Sequence, residues 1–500
     1  MDLVQPQSLL FNKTIEQTSS GIVLSIHIRM LFPRILSSLS FFLSFCCFGQ
    51  TREAATDAAP LIRMSAGTEY RAGFVQELLL GRNWRREWET PVQVAQVSLD
   101  TLRGGLRPYA KSGGGESRSL RLRSKSGKEY ALRSINKSRI SVLPPLLQFT
   151  PYGALVQDGV SMSHPFAAFA LHPMMAAAGI PHTRPVLVYV PKQTALDTFN
   201  ALYGNDLYLL EEKAEGDWSS AAHLGSFRRF MDTESVKDSL RKNNRIKADQ
   251  HAFIKARLFD ILISDVDRHA GNWNWGVQES GKVIFTPIPG DRDQAFFTHN
   301  GLLSKLTLAL TRRRWMQSFR NKISNVATLT SYDQKLDKFF ANEMASVHWQ
   351  AAASHLQIEL TDSIIEASVR QLPQEVFAVS GPEVIRKLKI RRTDLRAYAE
   401  KYYRFLAKSV DINGSEGKEW FEVSRGQGKE IVVAVYSANG IGVRESTPYY
   451  QRLFHPGETK RIRLYGAGGD DVFKGLEGDA SISIKFSPAS NKSHYAIKSN

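Results

Sequence analysis

The chain has 500 residues, too many for one compact core, so two or three domains are expected. Its composition, 42% hydrophobic and 23% charged, is that of an ordinary globular protein and sets aside disordered and fibrous classes. The net charge of +16 points to acidic partners, but it is spread, with local peaks at 312–314 and 386–392. No Lys/Arg stripe with interleaved aromatics occurs, which argues against a nucleic-acid binder.

In chain order, residues 30–34 form a short basic region and 35–45 an apolar run. Together they read as a signal peptide, too short to span a bilayer, with translation starting at Met30 and residues 1–49 removed or additional. Export to the periplasm, the outer membrane or the medium follows. Both cysteines, Cys46 and Cys47, fall in this segment, so the mature chain has no thiolate for a disulfide or metal site. No other stretch is apolar and long enough to cross a membrane. Residues 50–72 read as a leader, and 73–137 as strands with turns. Residues 151–180 are Ala/Met-rich and read as helical; 184–191 and 206–212 are strand candidates. A charged, irregular insert at 213–248 precedes an amphipathic helix at 249–263. Residues 282–297 form a strand running into an acidic turn, and 333–408 are mostly helical. From 414 the pattern alternates with glycine turns and predicts a small antiparallel β domain. Within it, 465–479 faintly matches a glycine–aspartate calcium repeat; one imperfect copy builds no β-roll, so a tight hairpin is expected.

Three constellations carry chemistry. In "ISDVDRHAGNWNWG" (263–276), Asp267 and Asn272 lie five positions apart behind a greasy helix. In "PIPGDRDQAFF" (287–297), Asp291 and Asp293 follow a strand. In "SGGGESRSLRLRSKSGKEYALRSINK" (112–137), Gly113, Gly114 and Gly115 open a strand–turn–strand whose second strand places Ala131 and Arg133 on one face. Each has a plain structural alternative: a polar helix cap, an Asx-turn with surface ion pairs, and a flexible turn.

Their order resembles that of kinases, across residues 73–408. Asp267 and Asn272 match the spacing of the catalytic Asp and metal-binding Asn in H-R-D-x-x-x-x-N, and the D-R-H order is similar to phosphatidylinositol kinases, HipA-like kinases and secreted Golgi kinases. "DRDQAF" is similar to the matching place in spore-coat CotH kinases, and "YALR" (130–133) to V-A-I-K. "RLFD" (257–260) with the Trp-rich D-R-H stretch also resembles an exported envelope family of Bacteroidota-type bacteria. The resemblance implies an α+β fold: a kinase-like domain with a β-rich small lobe (73–212) and a helical large lobe (213–410), then the β domain (414–500). It implies that Asp267 is the base, and that Asn272 and Asp291, assisted by Asp293, hold Mg²⁺ or Mn²⁺. It implies that Arg133 and Lys137 clamp the phosphates of ATP or another nucleotide beneath the glycine turn.

The departure is Arg133, where the pattern has lysine. Its expected acidic partner is Asp158, the sole acid between Ser138 and Ala195, while Glu211 and Glu212 are expected beside the nucleotide base. Trp273 and Trp275 are expected to pack the loop onto the large lobe. Envelope protein, glycan and lipid are the acceptor classes. Two other readings stay open: an inactive pseudokinase used for binding, which Arg133 and the scarcity of periplasmic ATP favour, and a structural envelope protein with a cation-binding acidic cluster.

Overall fold

The computed structural model describes residues 59–113, 116–476, 481–488 and 494–498. The export segment, its cysteines and Gly114 and Gly115 lie outside them. Strand β1 (Leu61–Met64) pairs antiparallel with β2 (Val92–Ala95), so residues expected as leader are structured. Between them come two helices, α1 (Phe74–Leu80) and α2 (Arg85–Glu89), where strands were expected. "FVQELLL" and "RREWE" are strings of good helix formers. The outward leucines of α1 hide the usual core-facing stripe, which is why periodicity misread them.

The small-lobe sheet follows: β3 (Leu106–Ser112), β4 (Ser117–Ser124), β5 (Glu129–Lys137), β6 (Val186–Val190) and β7 (Asp206–Glu212), in the antiparallel order β3-β4-β5-β7-β6. Leu120, Leu122, Leu132, Val188 and Leu210 form its core. Part of the expected irregular insert belongs here too, because Trp218 packs edge-on against Tyr130. The connection from β5 to β6 carries α3 (Pro151–Asp158) and α4 (His172–Ala177), joined by tight turns. Residues from 66–94 and 160–180 share a core with the large-lobe helices, so the lobes are interleaved in sequence rather than divided at 212.

Strand β8 (Phe230–Asp232), helix α5 (Thr233–Lys242), β9 (Lys247–Ala248) and helix α6 (Gln250–Ile263) lead into the central element. The Asp249 side chain caps α6 by accepting the Ala252 N–H at 2.9 Å. Its C-terminal carbonyls, Ile261 and Leu262, each accept from the buried Arg391 guanidinium at 2.6 Å. A cation there complements the negative helix end. Strands β10 (Trp273–Ser280) and β11 (Lys282–Pro289) form a hairpin, in the order β8-β10-β11-β9. Then come α7 (Leu302–Leu310), α8 (Gln334–Phe340), α9 (Ser346–Glu359), α10 (Asp362–Val369), α11 (Gln374–Thr393) and α12 (Leu395–Ala407).

The β domain begins at β12 (Ser409–Asn413) and continues through β13 (Glu419–Arg425), β14 (Ile431–Ser437), β15 (Tyr450–Phe454), β16 (Arg461–Tyr465), β17 (Val472–Leu476), β18 (Ser483–Ser487) and β19 (His494–Lys498). Its hairpins β13-β14-β15 are antiparallel, as expected, but β12·β16, β16·β18, β13·β17 and β17·β19 run parallel. Alternation identifies buried faces and is blind to strand direction, so the antiparallel expectation was too narrow. The Gly/Asp stretch after Tyr465 is not a hairpin: β16 and β17 belong to different sheets. Asp471 is buried there and accepts the Glu419 N–H.

Candidate functional site

The loop after α6 is built on buried charge. Ser264 takes a left-handed conformation (φ 52°) and ends the helix. Arg268, fully buried, donates to the carbonyls of Gly290 at 2.5 Å and Asn272 at 3.1 Å, and lies over the Trp273 ring. The Gly290 N–H donates to the Asn272 carbonyl at 3.0 Å. The loop carrying Asp267 and Asn272 is thereby fastened to the strand end carrying Asp291. The Asn272 amide N–H₂ donates to the Asp267 carbonyl at 2.6 Å, which fixes the orientation of its amide. His269 accepts the Gly271 N–H and closes the turn. Trp273 and Trp275 are buried beneath, stacked around Phe253 and Phe340 of α6 and α8.

Behind this loop sits a hub of ion pairs. Asp260 meets Arg257 at 2.8 Å, Arg268 at 3.3 Å, and Arg292. Arg257 reaches on to Asp337 at 2.6 Å, and Asp265 faces Arg292 at 3.4 Å. All five are buried, with Asp337 also fully enclosed. Such a network is stable only while complete, since each unpaired charge would be stranded in low dielectric.

Across the cleft, Arg133 projects from the third strand of the small-lobe sheet, where protein kinases carry a phosphate-binding lysine. It pairs with Glu211 at 3.0 Å and with Asp291 at 2.9 Å. Ala131 sits opposite Glu211 in the β5·β7 register, so Glu211 lies diagonally across from Arg133 on the same face. Lys137 pairs with Asp293. Ser117, Ile135, Val160, Ser163 and His164 line a small cavity together with Arg133, Lys137, Glu211, Asp291 and Asp293. Gly113, at the turn above, has φ 111°, and a side chain there would meet the Ser117 carbonyl.

The structure thus brings together Arg133, Lys137, Glu211, Asp291 and Asp293 around one cavity, and hydrogen bonds tie the loop carrying Asp267 and Asn272 to Gly290, next to Asp291. It does not bring Asp158. That carboxylate takes a bidentate pair from Arg85 of α2 at 2.7 and 2.8 Å. The expected Arg133–Asp158 pair is therefore replaced by Arg133–Glu211, and Glu211 is spoken for as that partner rather than free beside a base. Glu212 pairs with His223. Sequence reasoning missed Arg85, Arg268 and Arg139; Arg139 donates to the Gly159 carbonyl and lies within electrostatic reach of Asp267.

Burial raises the Asp267 carboxyl above its ordinary range, opposed by His269 and reinforced by the charge of Asp291. Burial acts likewise on Asp291, but Arg133, Lys137 and Arg268 outweigh it and hold that carboxyl low. Burial lowers the Lys137 ammonium. Two carboxyls side by side are thus pushed apart, one toward proton acceptance and one toward permanent charge. Asp291 also adopts φ 47°, a strained conformation for a non-glycine that the Arg268 and Asn272 contacts hold in place. The cavity offers a divalent cation the hard carboxylate oxygens of Asp291 and Asp293, with the Asn272 amide held in a fixed orientation on the adjoining loop. Oxygen donors of this kind suit Mg²⁺ or Mn²⁺, but Arg133 and Lys137 engage both carboxylates, and among the described residues no group of three His, Cys, Asp or Glu is placed to hold a metal ion.

Asp333 accepts the Arg268 N–H at 3.0 Å and is pushed up from 3.8 to about 7, chiefly by burial. The folded state then holds a proton that the unfolded chain releases between those values, so this contribution to stability falls as pH rises. Asp333→Asn is expected to gain in melting temperature relative to the unaltered protein between pH 4 and 7; a constant difference over that window refutes the assignment.

No family model matches the chain, and no curated protein matches it. Among solved structures it is similar to the Helicobacter pylori proinflammatory kinase CtkA, with 13% identity and a TM-score of 0.32, over 59% of this chain and 95% of that one. It is similar to the Rio2 kinase of Chaetomium thermophilum, solved with ADP, Mg²⁺ and phosphoaspartate: 10% identity, TM-score 0.24, 58% and 71% covered. A third is HipA of a Shewanella oneidensis toxin–antitoxin system, with 12% identity, TM-score 0.21, and 71% and 75% covered. The class of the fold rests on the chain's own strand order and cleft: an α+β, two-lobed kinase-like domain followed by a β domain.

Proposed function

We propose that the protein is an exported kinase-like phosphotransferase that binds a nucleotide between its lobes and modifies an envelope protein, glycan or lipid. The observation carrying this reading is the convergence of Arg133, Lys137, Asp291 and Asp293 on one cavity above the Asp267 loop. Asp267 accepts the proton of the attacking hydroxyl, a role its raised affinity for protons suits. The acceptor oxygen forms a bond to the transferred phosphorus as the bond to the leaving nucleotide oxygen breaks. Arg133, steadied by Glu211, and Lys137 turn from their carboxylates to the donor's phosphates beneath Gly113. Asn272, Asp291 and Asp293 would hold Mg²⁺ or Mn²⁺, which neutralises phosphate charge when bound. The apolar run at 35–45 and the likeness of "RLFD" and the Trp-rich D-R-H stretch to an exported envelope family support export.

A second reading has its own observation. The Arg133–Asp291 and Lys137–Asp293 pairs already neutralise the two acids that a metal would use. A pseudokinase that binds without transfer fits that charge-closed cleft.

Thermal melts with nucleotides and Mn²⁺ or Mg²⁺ test both. Binding at a hundredfold excess over Kd adds about 2.7 kcal/mol of stability, a readable rise. No rise with any nucleotide–metal pair overturns both readings. A rise with phosphate release supports transfer, and a rise without it supports the binding module.

A further inference from the structure

Helix α7 is amphipathic the wrong way round. Ser304 is its buried residue, while Leu302, Leu303, Leu306 and Leu310 face solvent, Leu310 at 74% exposure. Helix α1 beside it does the same with Phe74, 81% exposed, Val75 and Leu78. The two are locked into one platform. A side chain on Gly301 would lie 2.2 Å from the Leu80 carbonyl carbon, so glycine permits their close approach. Asn300 accepts the Asn83 N–H at 3.2 Å, and Ser304 donates to the Leu80 carbonyl. A soluble helix normally turns its leucines inward. A contiguous apolar platform of this kind marks an interaction surface.

The charge beside it says what kind. From Gln294 to Tyr332 the chain carries six Lys or Arg and no Asp or Glu. Arg312, Arg313 and Arg314 follow α7 directly, all exposed, and make no ion pair with any described residue. Lys305 is exposed on the helix itself. On α1 the acid Glu77 is matched by Arg82 at 3.2 Å. Leucines and phenylalanine flanked by unpaired arginines are the composition of an interfacial lipid-binding element. Each arginine near an anionic bilayer adds attraction that salt screens. A second copy on a two-fold axis would set the same unpaired arginines against each other, which disfavours self-association.

We propose that the α1–α7 face docks on an anionic lipid surface, its leucines and Phe74 entering the interface and Arg312, Arg313 and Arg314 meeting the headgroup charge. The docking itself asks nothing of the phosphotransferase reading.

Vesicle flotation of the full chain tests it, with phosphatidylcholine alone and mixed with phosphatidylglycerol. The wild-type chain is expected to float with the mixed vesicles and to lose that binding in high salt. Leu306→Asp with Leu310→Asp, and separately Arg312→Gln with Arg313→Gln and Arg314→Gln, are expected to cut the bound fraction about tenfold or more. These side chains are exposed, so an unchanged melting temperature verifies folding. The N-terminal apolar run is common to all the chains, so the difference between them isolates this face. Absence of wild-type flotation, equal flotation with neutral vesicles, or variants that float like wild type overturns the proposal. So does a wild-type dimer in sedimentation velocity that the leucine substitutions dissociate, which would assign the face to a second copy. Retention on polyglutamate without vesicle binding would assign it to an acidic protein and overturns it equally.

Discussion

Asp260→Ala is expected to destabilise the protein by about 3–5 kcal/mol, the usual loss on breaking a buried ion network. Asp260 is 1% exposed and meets three arginines, Arg257, Arg268 and Arg292. Asp337 retains Arg257 in the variant, but the carboxylate left to Arg268 and Arg292 is Asp265. Burial raises the Asp265 carboxyl, so it is a weak replacement. Arg268 is also the tie between the Asp267 loop and Gly290, so the variant is expected to lose the nucleotide response together with its stability. Melting by circular dichroism checks it: a fall of about 3–5 °C is expected. Asp260→Asn, which keeps shape and removes charge, is expected to fall nearly as far. A variant that melts with the wild type would show that the arginines find other partners.

Asp267→Ala is expected to lower phosphoryl transfer by about 10²–10⁴, the range for loss of a general base, while leaving nucleotide affinity unchanged. Its carboxyl is raised by burial and by Asp291, so the wild-type rate is expected to climb with pH above the ordinary carboxylate range. Single-turnover transfer and equilibrium binding on the same variant separate the two effects. Loss of nucleotide binding in proportion to the rate would make Asp267 a binding residue. Undiminished transfer would remove it from the chemistry.

The parts of this account legible in the sequence were those with local signals. The Asp267–Asn272 spacing, the greasy α6 before it and the strand leading to Asp291 are read within short windows. The partners were not legible, because they depend on register and on packing between distant segments. Glu211 reaches Arg133 because β7 lies beside β5, and nothing in the intervening chain announces that pairing. Asp158 is the sole acid in the loop after β5, but its partner Arg85 lies far upstream on a helix that carries no core-facing periodicity. "RLFD" did carry a signal: Arg257 and Asp260, three apart on a wholly buried helix face, require partners, and Arg268, Arg292 and Asp337 supply them. In the β domain, alternation found the buried faces, yet the parallel pairs join strands too distant in sequence for any turn signal.

The central claim is that Arg133 and Lys137 form the phosphate-binding wall of a nucleotide cleft closed below by Asp291 and Asp293. Equilibrium binding of a fluorescent nucleotide in the presence of Mn²⁺, to the wild-type chain and to Arg133→Ala with Lys137→Ala, tests it most directly. Each lost charge-assisted contact is worth about 1.5–3 kcal/mol, so the double variant is expected to bind at least about a hundredfold more weakly. Equal affinity in the two proteins, or no binding to the wild type, would contradict it.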